Sequence, residues 1–226
     1  AVADKPGRLV SEDCLPVILG DPQPFSSRGG FKLEHALKQF DILPVGKTVV
    51  DVGASTGGFT DCLLQNGAEK VYAVDVGYGQ LDWKLRNDPR VICRDRKNAR
   101  NLSKEDIGET LDLAVIDVSF ISLQLVIPPL LKILKPEGQL VALVKPQFEV
   151  GKNDMEHRGI IKDPAKHISV LLELNRFIEE KEWSIINATE SPITGQKGNR
   201  EFLIHCVDNR YGKPVEEDTL RKIVLN

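Results

Sequence analysis

Two rhythms of apolar residues alternate along this chain. Short, near-continuous apolar runs at 48–52, 71–74, 91–93, 111–116 and 139–144 read as strands buried on both faces. Between them the apolar positions fall at helical spacing. Leu33, Ala36, Leu37 and Phe40 follow Gly29-Gly30; 57–66 is closed by Gly67; 79–86 is stopped by Pro89; 123–133 is interrupted or kinked by Pro128-Pro129. Asp163 is a good N-cap with Pro164 at the first helical position, which predicts a helix to about Lys181. Two more strands, 183–189 and 201–207, are joined only by a polar loop, 190–200, and a last helix covers 216–225. Residues 145–162 are irregular and polar, long for a connection, and so read as a functional loop. The first 25 residues are turn-rich, with Lys5-Pro6-Gly7 and Gly20-Asp21-Pro22-Gln23-Pro24, and read as a linker or the end of another module.

Alternating strands and helices predict an α/β protein with a mainly parallel sheet covered on both faces. Strands joined by a loop alone must be antiparallel neighbours. A mainly parallel sheet with a C-terminal antiparallel hairpin is the methyltransferase variant of the doubly wound, Rossmann-like fold. A length of 226 residues suits one large domain with an appendage, and 41% apolar with 28% charged residues fits an ordinary soluble globular chain. The sequence begins at Ala1 and its one methionine is Met155, so it reads as a piece of a longer protein. The longest uncharged run, 118–131, holds fourteen residues and two prolines, short of the 18 or so a membrane span needs. With no charged-then-apolar leader, a cytoplasmic protein is expected, with no membrane partner. Cys14, Cys62, Cys93 and Cys206 are scattered, which argues against a zinc site or disulfides, and no metal is expected. The net charge of −3 does not advertise nucleic-acid binding, yet 84–104 carries eight Lys or Arg against Asp88 and Asp95, a patch able to meet phosphates or simply to be solvated.

The first strand runs into Asp51-Val-Gly-Ala-Ser-Thr-Gly-Gly-Phe59. A glycine-rich strand-to-helix turn brings backbone close to a ligand and aims helix N–H groups at it. Here Gly53, Ala54, Ser55, Gly57, Gly58 and Phe59 are the candidate cofactor residues. A dinucleotide-phosphate loop expects G-x-G-x-x-G, and Gly53 is followed two residues on by Ser55, so that fingerprint fails. Asp51, at the strand end, suits the methionine ammonium of S-adenosyl-L-methionine rather than a pyrophosphate, the plainer alternative being a helix cap. Asp75, 22 residues after Gly53, is placed to accept from ribose hydroxyls, and Asp95 to accept from an adenine amine or to be a surface acid among arginines.

Asp117-Val-Ser-Phe120 and Lys145-Pro-Gln-Phe-Glu149 end the fourth and fifth strands, facing the same cleft. A lysine there is unusual, since burial disfavours its charge. Lys32 lies on the leading helix and Glu201 opens the last strand. A ribose hydroxyl is a weak nucleophile that must be aligned and must lose a proton as it attacks. Lys145 would steer or accept that proton, Asp117 would hold the lysine, and Lys32 with Glu201 would complete the network. Singly, Lys32 could be a solvated helix residue and Glu201 a strand-edge charge. Amino-group methylation expects an Asp/Asn-Pro-Pro-aromatic loop in place of Asp117-Val-Ser-Phe120, and pyrimidine carbon-5 methylation expects a cysteine that the strand ends lack.

These residues resemble the FtsJ-like 2'-O-methyltransferases, whose Lys-Asp-Lys-Glu tetrad maps onto Lys32, Asp117, Lys145 and Glu201. The likeness is closer to the TlyA, or "hemolysin A", branch of ribosomal RNA methyltransferases. It is carried by Ser27-Arg-Gly-Gly-Phe-Lys-Leu-Glu34, Asp51-Val-Gly-Ala-Ser-Thr-Gly-Gly-Phe-Thr60 and Val144-Lys-Pro-Gln-Phe-Glu149, and spans about 25–207. It implies S-adenosyl-L-methionine as cofactor and transfer to ribose of ribosomal RNA, of cytidines, within assembled ribosomal subunits. It also implies that 1–25 ends a small S4-type RNA-binding domain and that 26–226 is the methyltransferase domain. Arg94-Asp-Arg-Lys-Asn98 departs from the branch's Glu-Arg-Thr-Asn pattern at the adenine position. The alternatives are a methyltransferase for another acceptor, a cofactor-binding module without catalysis, and a membrane-active haemolysin.

Overall fold

The computed structural model describes residues 13–14, 23–150 and 159–225. Seven strands form one sheet in the order β3-β2-β1-β4-β5-β7-β6. In chain order the elements are α1 (Gly29–Gln39), β1 (Thr48–Val52), α2 (Gly58–Gln65), β2 (Lys70–Val74), α3 (Trp83–Arg86), β3 (Val91–Arg94), α4 (Lys104–Ile107), β4 (Leu111–Ile116), α5 (Leu123–Leu131), β5 (Leu134–Val144), α6 (Pro146–Glu149), α7 (Pro164–Glu179), β6 (Trp183–Glu190), β7 (Phe202–Asp208) and α8 (Glu217–Leu225). β1 to β5 pair in parallel, and β7 lies antiparallel between β5 and β6. The expected α/β class, mainly parallel sheet and C-terminal antiparallel pair are all present.

Strand alternation sends side chains to two cores. Val50, Val52, Ala114, Ile116, Leu140, Ala142, Phe202 and Ile204 face α5, α7 and α8; Val49, Val71, Leu113, Val115, Val141, Leu143 and Leu203 face α1 and α2. Because both faces are covered, the strands read as unbroken apolar runs rather than alternating ones, which is why β1 and β4 were legible to the residue.

Local chemistry sets the differences. The helix expected over 79–86 is only Trp83–Arg86, because Gly79 takes a left-handed φ of 67° and Asp82 caps the turn by accepting from the Lys84 N–H at 2.8 Å. The segment after β5 is not wholly irregular: Pro146 opens the single turn α6. α5 runs through Pro128 and Pro129, since burial of Leu123, Val126, Ile127 and Leu130 outweighs the lost backbone bonds. β5 starts at Leu134 rather than at 139, with a register shift between the Leu111 and Leu113 pairings. Glu201 precedes β7 instead of opening it. The single turn α4 was missed, although Ser103 and Asp106 form a capping box. Of the 1–25 module and the 145–162 loop, residues 1–12, 15–22 and 151–158 lie outside the described residues.

His205, on β7, stacks on Phe40 with ring centroids 5.6 Å apart, and neither ring nitrogen has a hydrogen-bond partner among the described residues. Burial, then the nearby Lys47 charge, lowers its pKa to about 4. The unfolded chain takes up that proton near pH 6.5, so stability falls as pH drops from about 6.5 towards 4. We predict that His205→Phe abolishes a share of the acid sensitivity on the order of 2 kcal/mol between pH 7.5 and pH 5, read by urea unfolding of both proteins. Identical pH slopes would refute it.

Candidate active site

The site sits where strand order reverses, between β1 and β4, the place where open α/β sheets bind ligands. Gly53 follows β1 with φ 84°, and a Cβ there would collide with the Asp117 carbonyl oxygen after β4. The loop is fixed across the sheet, as the Gly53 N–H donates to the Val74 carbonyl at 2.9 Å. The Ser55 N–H donates to Asp75 Oδ2 at 2.8 Å and the Gly77 N–H to Asp75 Oδ1 at 2.7 Å. The β2 carboxylate therefore shapes the loop as well as facing a cavity.

Asp51 lies behind this loop, fully buried. Thr60 Oγ1 donates to its Oδ2 at 2.6 Å, while Oδ1 has no hydrogen-bond partner among the described residues. Burial pushes its carboxyl up to about 7; the Thr60 hydrogen bond opposes this and the Asp117 charge adds to it. A buried, half-satisfied carboxylate is a standing demand for a cation.

The four tetrad positions form two ion pairs, Lys32–Glu201 buried and Lys145–Asp117 with its carboxylate partly exposed. Lys32 Nζ donates to Glu201 Oε2 at 2.5 Å. Lys145 Nζ lies 2.6 Å from Asp117 Oδ1 and donates to Ser119 Oγ at 2.9 Å. Topology brings them together. β7 runs antiparallel to β5, with Phe202 opposite Val144, so the residue before β7 meets the residue after β5. Packing of α1 on α2 delivers Lys32. Gly195 leaves Glu201 its place, since a Cβ there would overlap the carboxylate. Glu149 ties the β5 end to α5, accepting from the Leu123 N–H at 2.9 Å and the Ser122 hydroxyl at 2.7 Å; burial raises its pKa.

Two adjoining cavities open here. One, of about 300 Å³, has all four tetrad residues in its wall together with Gly53, Ala54, Ser55, Gly58 and Phe59. The other, of about 460 Å³, is lined by Asp75, Val76, Asn98, Val118 and Ile121. They share Gly53, Ser55, Asp117, Ser119 and Phe120. Three expected residues lie on neither wall. Asp51 sits beneath the loop, and Gly57, with φ 97°, starts α2. Asp95 pairs with the Arg86 guanidinium and accepts from the Gly79 N–H at 3.4 Å, so Asn98 stands on the wall where Asp95 was expected.

Sequence reasoning missed Ser27, Arg28, Ser119, Gln147 and an aromatic pair. Phe120 is 87% exposed in a left-handed conformation, and its ring lies 4.9 Å from that of Phe148 at the mouth of the smaller cavity. Both phenylalanines stand in the strand-end motifs, so two aromatics just past adjacent strands were a signal available in the sequence. Among the described residues no group of three or more His, Cys, Asp or Glu could hold a metal ion, and no helix is long and apolar enough to cross a membrane.

Comparison with known proteins fits this geometry. The 16S/23S rRNA (cytidine-2'-O)-methyltransferase TlyA of Mycobacterium tuberculosis is 45% identical over 203 residues, 89% of this chain and 76% of its own. Hemolysin A of Brachyspira hyodysenteriae is 44% identical over 184 residues, 81% of this chain and 77% of its own. A solved Streptococcus thermophilus structure that carries the name hemolysin superposes with a TM-score of 0.87 at 43% identity, covering 91% of this chain and 75% of that one. The family model for FtsJ-like methyltransferases matches residues 25–207, the stretch that holds both ion pairs and the glycine loop, and the chain belongs to that family.

Proposed function

We propose that this protein transfers a methyl group from S-adenosyl-L-methionine to a ribose 2'-hydroxyl, of cytidine, in ribosomal RNA within ribosomal subunits. The observation that carries the reading is the pair of lysine–carboxylate contacts on one cavity wall, continuous with a second cavity lined in part by the glycine loop. The TlyA relative supplies the acceptor class. A cytoplasmic location, where ribosomal subunits are found, goes with that reading, and 26–226 is read as the catalytic domain.

The residues present fit the cofactor. The unpartnered Asp51 oxygen sets a negative potential beneath Gly53 and Ala54, suited to an ammonium. Asp75 faces the larger cavity, where ribose hydroxyls would approach it, and Asn98, Val118 and Ile121 offer an amide and apolar walls to an adenine. When bound, the cofactor supplies a methyl group already electrophilic on a positive sulfur. The chain's task is to hold and deprotonate the acceptor. Lys145 donates to Ser119 Oγ and lies at ion-pair distance from Asp117 Oδ1, so the two together hold its nitrogen facing the cavity where the ribose would enter. As the ribose oxygen takes the methyl group from the sulfur, the Lys145 amine would accept the hydroxyl proton, and Asp117 would hold the ammonium so formed. The Lys32–Glu201 pair fixes the ribose from the opposite side, and Phe120 with Phe148 offers a stacking surface to its base.

Two outcomes follow. A cationic ligand above Asp51 favours its ionised form, so binding of S-adenosyl-L-methionine releases a proton near pH 7 and tightens as pH rises through that value. Calorimetry in buffers of different ionisation enthalpy reads this directly, and Asp51→Asn removes it; binding without proton release contradicts the assignment. Second, with undermethylated ribosomal subunits and labelled cofactor, label appears as 2'-O-methylcytidine. Lys145→Ala lowers the rate at least about 100-fold while cofactor binding, which also reports the fold, persists. Label on a base, or full activity in the variant, overturns the reading.

A further inference from the structure

The stretch between β2 and β3 spends apolar surface in an unusual way. From 78 to 85 its two leucines turn inward: Leu81 and Leu85 are buried, and both stand where a Cβ on Gly57 would fall. Its two aromatics turn outward, Tyr78 being 69% and Trp83 75% exposed. A segment able to bury two leucines did not need to leave its largest side chains in water.

These aromatics stand on a built ledge. The Arg96 N–H donates to the Gly77 carbonyl at 2.9 Å, joining the turn after β3 to the turn after β2. Asp95 clamps both to α3 through Gly79 and Arg86. The Asp82 N–H donates to the Thr56 carbonyl at 3.2 Å, so the ledge is anchored to the glycine loop. Arg96 has a left-handed φ of 56°, and its guanidinium lies 4.4 Å from the centroid of the Tyr78 ring. Asp88 and Asp95 answer Arg90 and Arg86, and Asp106 answers Lys97. Lys84, Arg94, Arg96, Arg100 and Lys104 have no ion pair among the described residues. Of these, Arg96 lies over the Tyr78 ring and Lys84 directly follows Trp83 in the chain.

We propose that this ledge, with Tyr78 and Trp83 as stacking surfaces and Lys84, Arg96 and Arg100 as phosphate contacts, holds unpaired RNA adjoining the target nucleotide. The inference rests on the methyl-transfer reading above for what enters the cleft. Aromatic faces beside unpaired cations are the chemistry of single-strand binding, where bases stack whatever their sequence and basic groups track the backbone. Cations set among exposed rings suit a polyanion that also carries flat faces better than they suit the apolar surface of a protein partner. Asp95 acquires a role here as well: it positions the ledge.

The chain has two tryptophans, and Trp183 is buried, so a fluorescence change on adding nucleic acid reports Trp83. Titration with a short oligocytidylate should quench Trp83 emission, with a midpoint that rises with salt. Trp83→Ala and Tyr78→Ala should each weaken binding of undermethylated subunits roughly tenfold and raise KM for them alike, with Trp83→Phe close to the original protein. Cofactor affinity and kcat at saturating RNA should not move. Unchanged Trp83 emission at saturating oligonucleotide, or normal subunit binding by Trp83→Ala, overturns the ledge while leaving methyl transfer by the original protein intact. Weakened subunit binding without any effect on the oligonucleotide points to a ribosomal protein and also overturns it. Trp83 quenching with no methyl transfer to subunits would support the ledge and sink the acceptor assignment instead.

Discussion

Four ionisable side chains gathered in a largely buried cleft can persist only if every charge meets its partner. An isolated buried charge costs several kcal/mol, and removing one member of a buried pair typically costs about 3–5 kcal/mol. Lys32 with Glu201, and Lys145 with Asp117, meet this demand at 2.5 and 2.6 Å. No two partners are near in sequence, so the contacts exist only once the sheet is assembled. Other features answer to the same requirement. β7 inserts antiparallel beside β5, α1 packs on α2, Gly53 admits the Asp117 carbonyl, and Gly195 leaves room for Glu201.

The same constraint accounts for where the four groups are mounted. The carboxylates come from strand ends and the lysines from a strand end and a packed helix, elements whose apolar faces are buried in two cores. Aromatic side chains stand around the charged pairs in the cavity wall: the exposed Phe120 and its neighbour Phe148. A charged wall beside an aromatic pair suits a flexible polynucleotide whose one sugar must be held in line.

Much of this was legible in the sequence, and physics says which parts. Strands β1 and β4 were read to the residue because a two-sided buried strand leaves an unbroken apolar run. Asp117, Lys145 and the glycine loop were expected at the cleft because the ends of parallel strands face it, and they line its wall. Residue types and motifs placed Lys32 and Glu201 beside them, but not the pairing between them, which depends on where β7 enters the sheet. The Asp95–Arg86 pair was not legible either, because Arg86 lies on a helix whose start is set by the left-handed Gly79 and the Asp82 cap, conformations that periodicity does not register. Phe120 escaped because an exposed aromatic in a left-handed turn looks in sequence like any core residue.

If the two ion pairs serve one transition state, they are not independent. The most direct test is a double-mutant cycle on single-turnover methyl transfer to ribosomal subunits, using Lys32→Met, Lys145→Met and the double variant, with cofactor binding confirmed for each. Residues acting as a unit lose nearly everything at the first removal. The account predicts that the double variant is about as slow as the slower single one. Losses that simply multiply would show two separate roles and contradict a shared acceptor site.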